Sequence, residues 1–297
     1  MNKLATLSVA LLLLAFSAQA FAQSDDNEEL KIAALEALIS APPERAMPLA
    51  ARVLEGEHSN EVKERALFIL SQIDHPDAHE ILMSTATSAN GELRAEAIRM
   101  IGIGGNPDAL ASLSSLYSSG DEDVRDAVLE AYLIAGDTES VLRLAENAAT
   151  EEEFEAAVDI LGAMGASDEL RSLRDRVGIS ESLIHAYAIS GDAETLIEIA
   201  LDTSNPERQA EAIEALGIVG GGEVEATLVG IYRNAPTENI REAALDGMLI
   251  SGHDEGVLEL YRSSNDDAEK KALLEYLVMM GNDEVWDLID AALEGGP

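Results

Sequence analysis

Cysteine is absent from the 297 residues, which excludes a disulfide framework, a thiolate metal site and a cysteine nucleophile together. Aromatic residues make up 4% of the chain and tryptophan occurs once, at Trp286, so any core must be aliphatic, and alanine and leucine supply it. Cations are scarce too: 19 Lys and Arg stand against 57 Asp and Glu, a formal net charge of −38. That field repels nucleic-acid phosphates and anionic lipid head groups, because binding either needs clustered cations. It keeps an apolar-rich chain in solution, and it would attract a cationic partner or a divalent metal. Catalytic signatures are missing as well. The sequence holds no G-x-S-x-G, no H-E-x-x-H and no calcium loop of the form D-x-[DN]-x-[DN]-G. The glycine runs Gly102 to Gly105 and Gly220 to Gly222 follow helical patterns and lack the Walker lysine, which makes them turns. No catalytic, cofactor-binding or metal-binding residue is assigned, and no cofactor is expected.

One apolar run stands out, from Leu7 to Phe16, preceded by Lys3 and followed by A-x-A choices at Ala18/Ala20 and Ala20/Ala22. These are the three parts of an export signal over residues 1–22, with cleavage expected after Ala22. The run is shorter than the ~20 apolar residues a spanning helix needs. Without a cysteine behind the signal, lipid attachment at the mature N-terminus is excluded. The expected location is periplasmic or secreted, with no transmembrane anchor after cleavage.

The stretch Asp121 to Glu146 reads as a complete helical hairpin. Val124, Ala127, Val128, Ala131, Tyr132 and Ala135 lie at i, i+3, i+4, i+7, i+8 and i+11, one apolar stripe on a 3.6-residue helix. Gly136 and Asp137 end that helix and start the next, in which Val141, Leu144, Ala145 and Ala148 repeat the spacing. A hairpin of about thirty residues cannot bury its own stripe and must stack on copies of itself. Copies are present. A small residue in the first helix recurs at Ala66, Ala97, Ala127, Ala157, Ser182, Ala212, Ala243 and Ala272, at intervals of 31, 30, 30, 25, 30, 31 and 29. Nine positions later come the turns: His75, Asn106, Gly136, Ala166, Gly191, Gly221, Gly252 and Gly281. The 25-residue interval, around Val177 to Ser182, predicts a shortened helix or turn and disturbed stacking. Thr150 with Glu153 and Ser204 with Glu207 fit capping boxes, and Pro76, Pro107 and Pro206 sit where proline opens a helix.

The segments beginning LRAEAIRMIGIGG at Leu93, VRDAVLEAYLIAGD at Val124 and IREAALDGMLISGHD at Ile240 resemble HEAT repeats, in particular the short form associated with phycobilisome lyases. The resemblance covers about Ser59 to Leu293. It implies an all-α, right-handed α-solenoid of about eight stacked hairpins, and a family composed mostly of protein-binding scaffolds. The basic residue typical of the first helix stands at Lys63, Arg94, Arg125, Arg241 and Lys270, and is lost in the fourth, fifth and sixth repeats, where Glu155 takes the fourth slot. The family's lyase activity transfers weakly, since an exported chain does not meet cytoplasmic phycobiliproteins. The domain reading is a signal at 1–22, a flexible lead-in at 23–27, an N-terminal capping pair at 28–58, the array at 59–293 and a tail at 294–297. In the cap, Leu30, Ala33, Ala34, Ala37 and Leu38 form the expected stripe, stopped by Ala41, Pro42 and Pro43, with a second helix over 47–54.

Other candidates have structural explanations. His75 and His79, beside Asp74, Asp77 and Glu80, suggest a metal cluster, but Pro76 places His75 in a turn and His79 on the next helix. His58, His185 and His253 have no partner motif. Glu151, Glu152, Glu153 and Glu155, and Asp121, Glu122 and Asp123, lie in first turns, where the helix dipole favours negative charge. Tyr117, Tyr232 and Tyr261 recur at the ends of second helices, expected to pack between layers with their hydroxyls in water. Trp286 is expected to close the end of the core. The functional expectation is a non-enzymatic scaffold or adaptor of the bacterial envelope, binding a protein or peptide along a concave, second-helix face. The rivals are a lyase-like or other enzyme on the same scaffold, and a divalent-cation-dependent envelope scaffold.

Overall fold

The computed structural model describes residues 27–89 and 91–294. The expected signal, residues 23–26 of the lead-in and residues 295–297 of the tail lie outside them. No strand occurs among the described residues, and no helix among them is long and apolar enough to cross a membrane. The chain divides into two compact units, Met1–Asp137 and Thr138–Pro297, and each is described by itself.

In the first unit, a helical segment at 27–36 runs into a 3₁₀ turn, Ala37–Ser40. Then come α1 (Pro43–Glu55), α2 (Asn60–Ser71), α3 (Pro76–Ser88), α4 (Glu92–Gly104), α5 (Pro107–Ser119) and α6 (Glu122–Ala135). Helices α2, α4 and α6 pack in succession as one layer, and α1, α3 and α5 as the other. The second unit holds α7 (Thr138–Glu146), α8 (Glu151–Ala163), α9 (Ser167–Val177), α10 (Glu181–Ser190), α11 (Ala193–Leu201) and α12 (Pro206–Val219). It continues with α13 (Gly222–Asn234), α14 (Glu238–Ser251), α15 (Asp254–Ser263), α16 (Asp267–Met280) and α17 (Val285–Leu293). Here α8, α10, α12, α14 and α16 follow one another in the first-helix layer, while α7 packs on α9 and α11, α13 and α15 pack in series. Each unit is therefore a stack of helical hairpins, the α-solenoid arrangement that the thirty-residue period predicts.

Local chemistry sets the boundaries. Asp121 accepts from the Val124 amide at 3.1 Å and Thr150 from that of Glu153 at 3.2 Å, filling donors that a helix start leaves open. Proline opens α3, α5 and α12 as expected. Gly136 ends α6 at φ 70°, a conformation that only glycine reaches cheaply. At the second and fourth turns the left-handed residue is Gly105 or Gly165, one position before the expected Asn106 and Ala166. The N-cap of α12 is Asn205, which accepts from Arg208 at 3.3 Å, and not Ser204. Pro206 fixes the first helical residue, so the side chain just before it is the one in reach.

The short register falls where expected. Helix α10 has 10 residues, against 12 to 14 in the other first helices. An ion pair between half-exposed Arg171 and buried Asp192 holds the stack there. Asp192, 5% exposed, takes 2.7 Å and 2.8 Å hydrogen bonds from Arg171 of α9 and the Thr195 hydroxyl of α11.

The first-helix layer is tight because small residues face each other. A Cβ on Gly102 would lie 2.5 Å from the Ala131 carbonyl oxygen, one on Gly217 would lie 2.5 Å from that of Gly247, and one on Gly162 would lie 3.1 Å from the Ala186 backbone. At the same position in α6 and α10 stand Tyr132 and Tyr187. Their buried hydroxyls donate to the Leu110 and Leu170 carbonyls of preceding second helices, at 3.1 and 3.0 Å. Close backbone contact and a long tether thus alternate along the layer.

Three terminal expectations need correction. The stripe at Leu30 faces solvent, 68% exposed, and Leu35 is the buried residue, 4% exposed, flanked by half-buried Ile32 and Leu38. Ile32 and Leu35 lie three apart on one side of the α-helical segment, and Leu38 continues that side into the 3₁₀ turn. Pro43 opens α1 and does not merely stop the helix before it. Trp286 is 62% exposed, while Leu273, Leu277 and Val285 close the core of the last hairpin. Val285 takes the inward register, and its neighbour is turned outward by about 100°.

Candidate functional site

The site must be sought on the surface, so the first question is where the few cations go. Along the first helices they serve the fold. Arg94 Nε donates to the Ala86 carbonyl at 3.0 Å and Arg125 to that of Gly120 at 3.3 Å. Arg241 lies over the Tyr232 ring at 5.8 Å and Lys270 over Tyr261 at 5.5 Å. In each case the cation covers the C-terminal end of the preceding second helix, where partial negative charge gathers. In the sixth repeat, where no cation stands, buried Gln209 donates to the Ala200 carbonyl at 2.9 Å. In that repeat a neutral donor takes the cation's place, which accounts for one of the three breaks in the ladder, that of the sixth repeat.

Along the second helices, arginines join neighbouring hairpins. Arg174 pairs with Glu198 at 3.1 Å and Arg233 with Glu259 at 2.6 Å, while Arg176 pairs with Glu146 and Arg262 with Glu284. On α5 five of the exposed residues are serines, and the hydroxyls of Ser112, Ser115 and Ser119 donate to carbonyls of their own helix. These contacts make much of the second-helix face polar, although Val177 and Leu201, at the ends of α9 and α11, are each 59% exposed.

Exposed aliphatic side chains gather elsewhere, at the last turn of the first helices. In the second unit, Ile189, Ile218, Ile250 and Met279 end four successive first helices and are 46, 53, 53 and 59% exposed. Ile250 packs against the turn that carries Ile218, since a Cβ on Gly217 would lie 2.9 Å from the Ile250 Cβ. In the first unit, Ile103, Leu133 and Ile134 hold the same place.

One turn back on the same helix sides lies a carboxylate tier. Glu214 precedes Ile218 by four residues and Asp246 precedes Ile250 by four, a spacing that puts each pair on one helix side. Burial, then repulsion from Asp246, Glu211 and Glu242, pushes the Glu214 carboxyl above the ordinary range. Arg208 pairs with Glu211, and the Tyr276 hydroxyl donates to Asp246 at 2.7 Å. Among the described residues, no cation lies within ion-pair distance of Glu214 or Glu242. The first unit differs. Glu64 is likewise raised, by burial and then by Glu96, Glu92 and Glu61, but Arg99 stands in the slot of Glu214 and binds Glu130 and Glu96.

Between α14 and α16 the first-helix layer opens into a cleft of about 490 Å³. Met248 and Tyr276 occupy the positions that hold small residues at the tight crossings, so these helices stand apart. The cleft walls include Tyr232, Tyr276, Glu242 and Glu269. Burial, then Glu269, raises the Tyr232 phenol well above its usual value, and burial, then Asp246, does the same for Tyr276. Both hydroxyls stay protonated and committed to carboxylates, which suits holding a donor and not accepting a proton.

The remaining sequence candidates fall into structural roles. Nδ1 of His75 caps α3 by accepting from the Asp77 amide at 3.2 Å, and His253 approaches Glu225 at 3.4 Å. No group of three or more His, Asp or Glu able to hold a metal forms among the described residues. Tyr117 and Tyr232 are buried between layers, but the Tyr232 hydroxyl meets Glu269 and not water. The aliphatic tier was missed in sequence. Its signal was an apolar residue six or seven positions after each aligned small residue.

Residues 80–156 match the family profile for HEAT repeats. No curated protein matches the chain. Among solved structures, the complex of CpcE and CpcF of phycocyanin lyase from Nostoc is similar at 18% identity and a TM-score of 0.35, over 81% of this chain and 97% of that one. Human deoxyhypusine hydroxylase in complex with glycerol is similar at 16% identity and a TM-score of 0.32, over 80% and 99%. An engineered protein is similar at 19% identity and a TM-score of 0.27, over 79% and 96%.

Proposed function

We propose that this chain is a non-enzymatic scaffold or adaptor of the bacterial envelope that binds another protein or a peptide on its hairpin stack. The observation that carries the reading is the recurrence of an exposed aliphatic residue at the next-to-last position of four successive first helices. Isolated exposed apolar residues are ordinary, but a periodic row of them is a contact surface. Stacking presents that row on preformed helices, so little ordering entropy is spent on binding. The location rests on the export signal read at residues 1–22, and the non-enzymatic role on phenols and carboxylates that satisfy one another. The second-helix face, where the sequence first directs attention, is stitched by its own ion pairs. Among the described residues, exposed aliphatic residues recur helix after helix only along the first-helix ends of the second unit, which favours those ends as the contact.

A photocrosslinker at Ile250 and another at Ser115 of the second-helix face test this in intact cells. One dominant protein captured from Ile250 and not from Ser115 is the expected result. The same abundant bystanders from both positions would refute the scaffold reading. Cell fractionation and the N-terminal residue of the mature chain, expected at Gln23, test the location.

A further inference from the structure

We infer that the segment received by the second unit is a cationic amphipathic helix, its aliphatic stripe on Ile218 and Ile250 and its lysines or arginines against Glu214 and Glu242. The inference rests on the scaffold reading and adds the chemistry of the partner.

Three observations combine. Aliphatic side chains are exposed in the last turns of α12 and α14, where Ile250 packs against Gly217, the residue before Ile218. Glu214 stands one turn before Ile218 and Asp246 one turn before Ile250, about 6 Å away along each axis, and Glu242 lies one further turn back on α14. Glu214 and Glu242 have no cation beside them among the described residues, and burial, then the neighbouring carboxylates, raises the Glu214 carboxyl. An apolar ligand would cover the first tier and leave the second to be desolvated unpaired, which is costly. An anionic segment or lipid head group would be repelled. A segment carrying cations one step to the side of an aliphatic stripe satisfies both tiers, and cationic, apolar-faced helices have that pattern.

The dimensions agree. Adjacent helices pack about 8–10 Å apart, so a ligand crossing α12, α14 and α16 spans roughly 16–20 Å, and at 1.5 Å per residue about 14 helical residues suffice. The first unit lacks the pattern, because Arg99 already fills the carboxylate tier.

The probe is a fluorescein-labelled 18-residue peptide of leucine and lysine with leucine on one helical side. Its controls are an isomer with the same residues scrambled and a leucine and glutamate counterpart. Anisotropy titrations against the mature chain should show the striped peptide binding at least tenfold tighter than the scrambled one, and no binding of the acidic one. The double variant Ile218→Ser with Ile250→Ser should lose tenfold or more. The double variant Glu214→Gln with Glu242→Gln should lose a similar factor and flatten the salt dependence. All four positions are at the surface, and unchanged circular dichroism and unfolding midpoints would confirm intact folds. Equal binding of striped and scrambled peptides, or indifference to either double variant, would overturn the inference.

Competition separates this inference from the reading on which it rests. Excess striped peptide should abolish crosslinking from Ile250 to the native partner. A partner still captured in full would overturn the helix inference and leave the scaffold standing. Capture of bystanders alone, with the striped peptide still bound at the two tiers, would overturn the scaffold and leave the chemistry of the surface.

Discussion

Glycine to alanine is expected to have opposite signs at two helical positions of the second unit, and the contrast tests the packing account of the first-helix layer. In an exposed helix the change stabilises by about 0.5–1 kcal/mol, because alanine has less backbone freedom to lose. At Gly230 of α13 an added Cβ meets nothing within 4 Å, so the full gain should appear. At Gly217 of α12 the same atom would lie 2.5 Å from the Gly247 carbonyl oxygen and 2.9 Å from its Cα, where ordinary contact begins at 3.4 Å. The obstacle is backbone, which cannot rotate aside. Helices α12 and α14 must separate by nearly an ångström, and overpacking of this kind costs about 1–3 kcal/mol. Net of the propensity gain, Gly217→Ala should destabilise by about 1–2 kcal/mol. Urea unfolding followed at 222 nm measures both variants, and hydrogen exchange shows whether protection is lost first in α12 and α14. If Gly217→Ala proved as stabilising as Gly230→Ala, backbone contact between those helices would not be what holds the layer.

Two further substitutions address the polar seams. Asp192→Ala removes the cap of α11 and the partner of Arg171 together, and should cost about 2–4 kcal/mol in urea titrations at pH 7. Burial raises the Asp192 carboxyl, but the hydrogen bonds from Arg171 and Thr195 outweigh it and hold the pKa below the usual value. Its stabilisation is therefore complete above the unfolded pKa of about 3.9 and is lost as pH falls through the lower folded value; a gap between parent and variant that closed already at pH 6 would contradict this assignment. Gln209→Leu keeps the bulk but leaves the buried Ala200 carbonyl without its donor, for a loss of about 1–3 kcal/mol by thermal unfolding. Gln209→Glu should do no better, since an ionised carboxylate offers that carbonyl no proton.

The hairpins were legible in sequence because the residues that specify them act over short range. A stripe such as Val124 to Ala135, a cap such as Asp121 and a stop such as Gly136 each work within four residues, and all three stand in the structure. Even the register break was readable, since five missing residues between Ala157 and Ser182 had to be taken from an element, and α10 gave up a turn. What depended on a neighbour in space was not readable. Gln209 replaces a cation because a carbonyl of α11 waits for any donor. Trp286 faces outward because Val285 reached the inward register first. The candidate surface was hidden for a related reason. Ile218 and Ile250 continue the hydrophobic pattern of their helices into the last turn, and only packing reveals that nothing covers them there.

Acidity around exposed aliphatic residues has two physical explanations, and they diverge in one variant. Carboxylates can act as gatekeepers, keeping two copies of an apolar surface apart by repulsion, or they can select a cationic ligand. A chain of net charge −38 has repulsion to spare, so gatekeeping does not require Glu214 and Glu242 in particular. It also does not explain why arginines pair the second helices at exposed sites, where each pair contributes about 0–1 kcal/mol, while those two glutamates have no cation beside them among the described residues. Selection requires these carboxylates and requires them free. If they are gatekeepers, Glu214→Gln with Glu242→Gln should self-associate in sedimentation velocity and still bind the leucine and lysine peptide. If they select, the variant should remain as monodisperse as its parent and lose the peptide, which is the expected outcome.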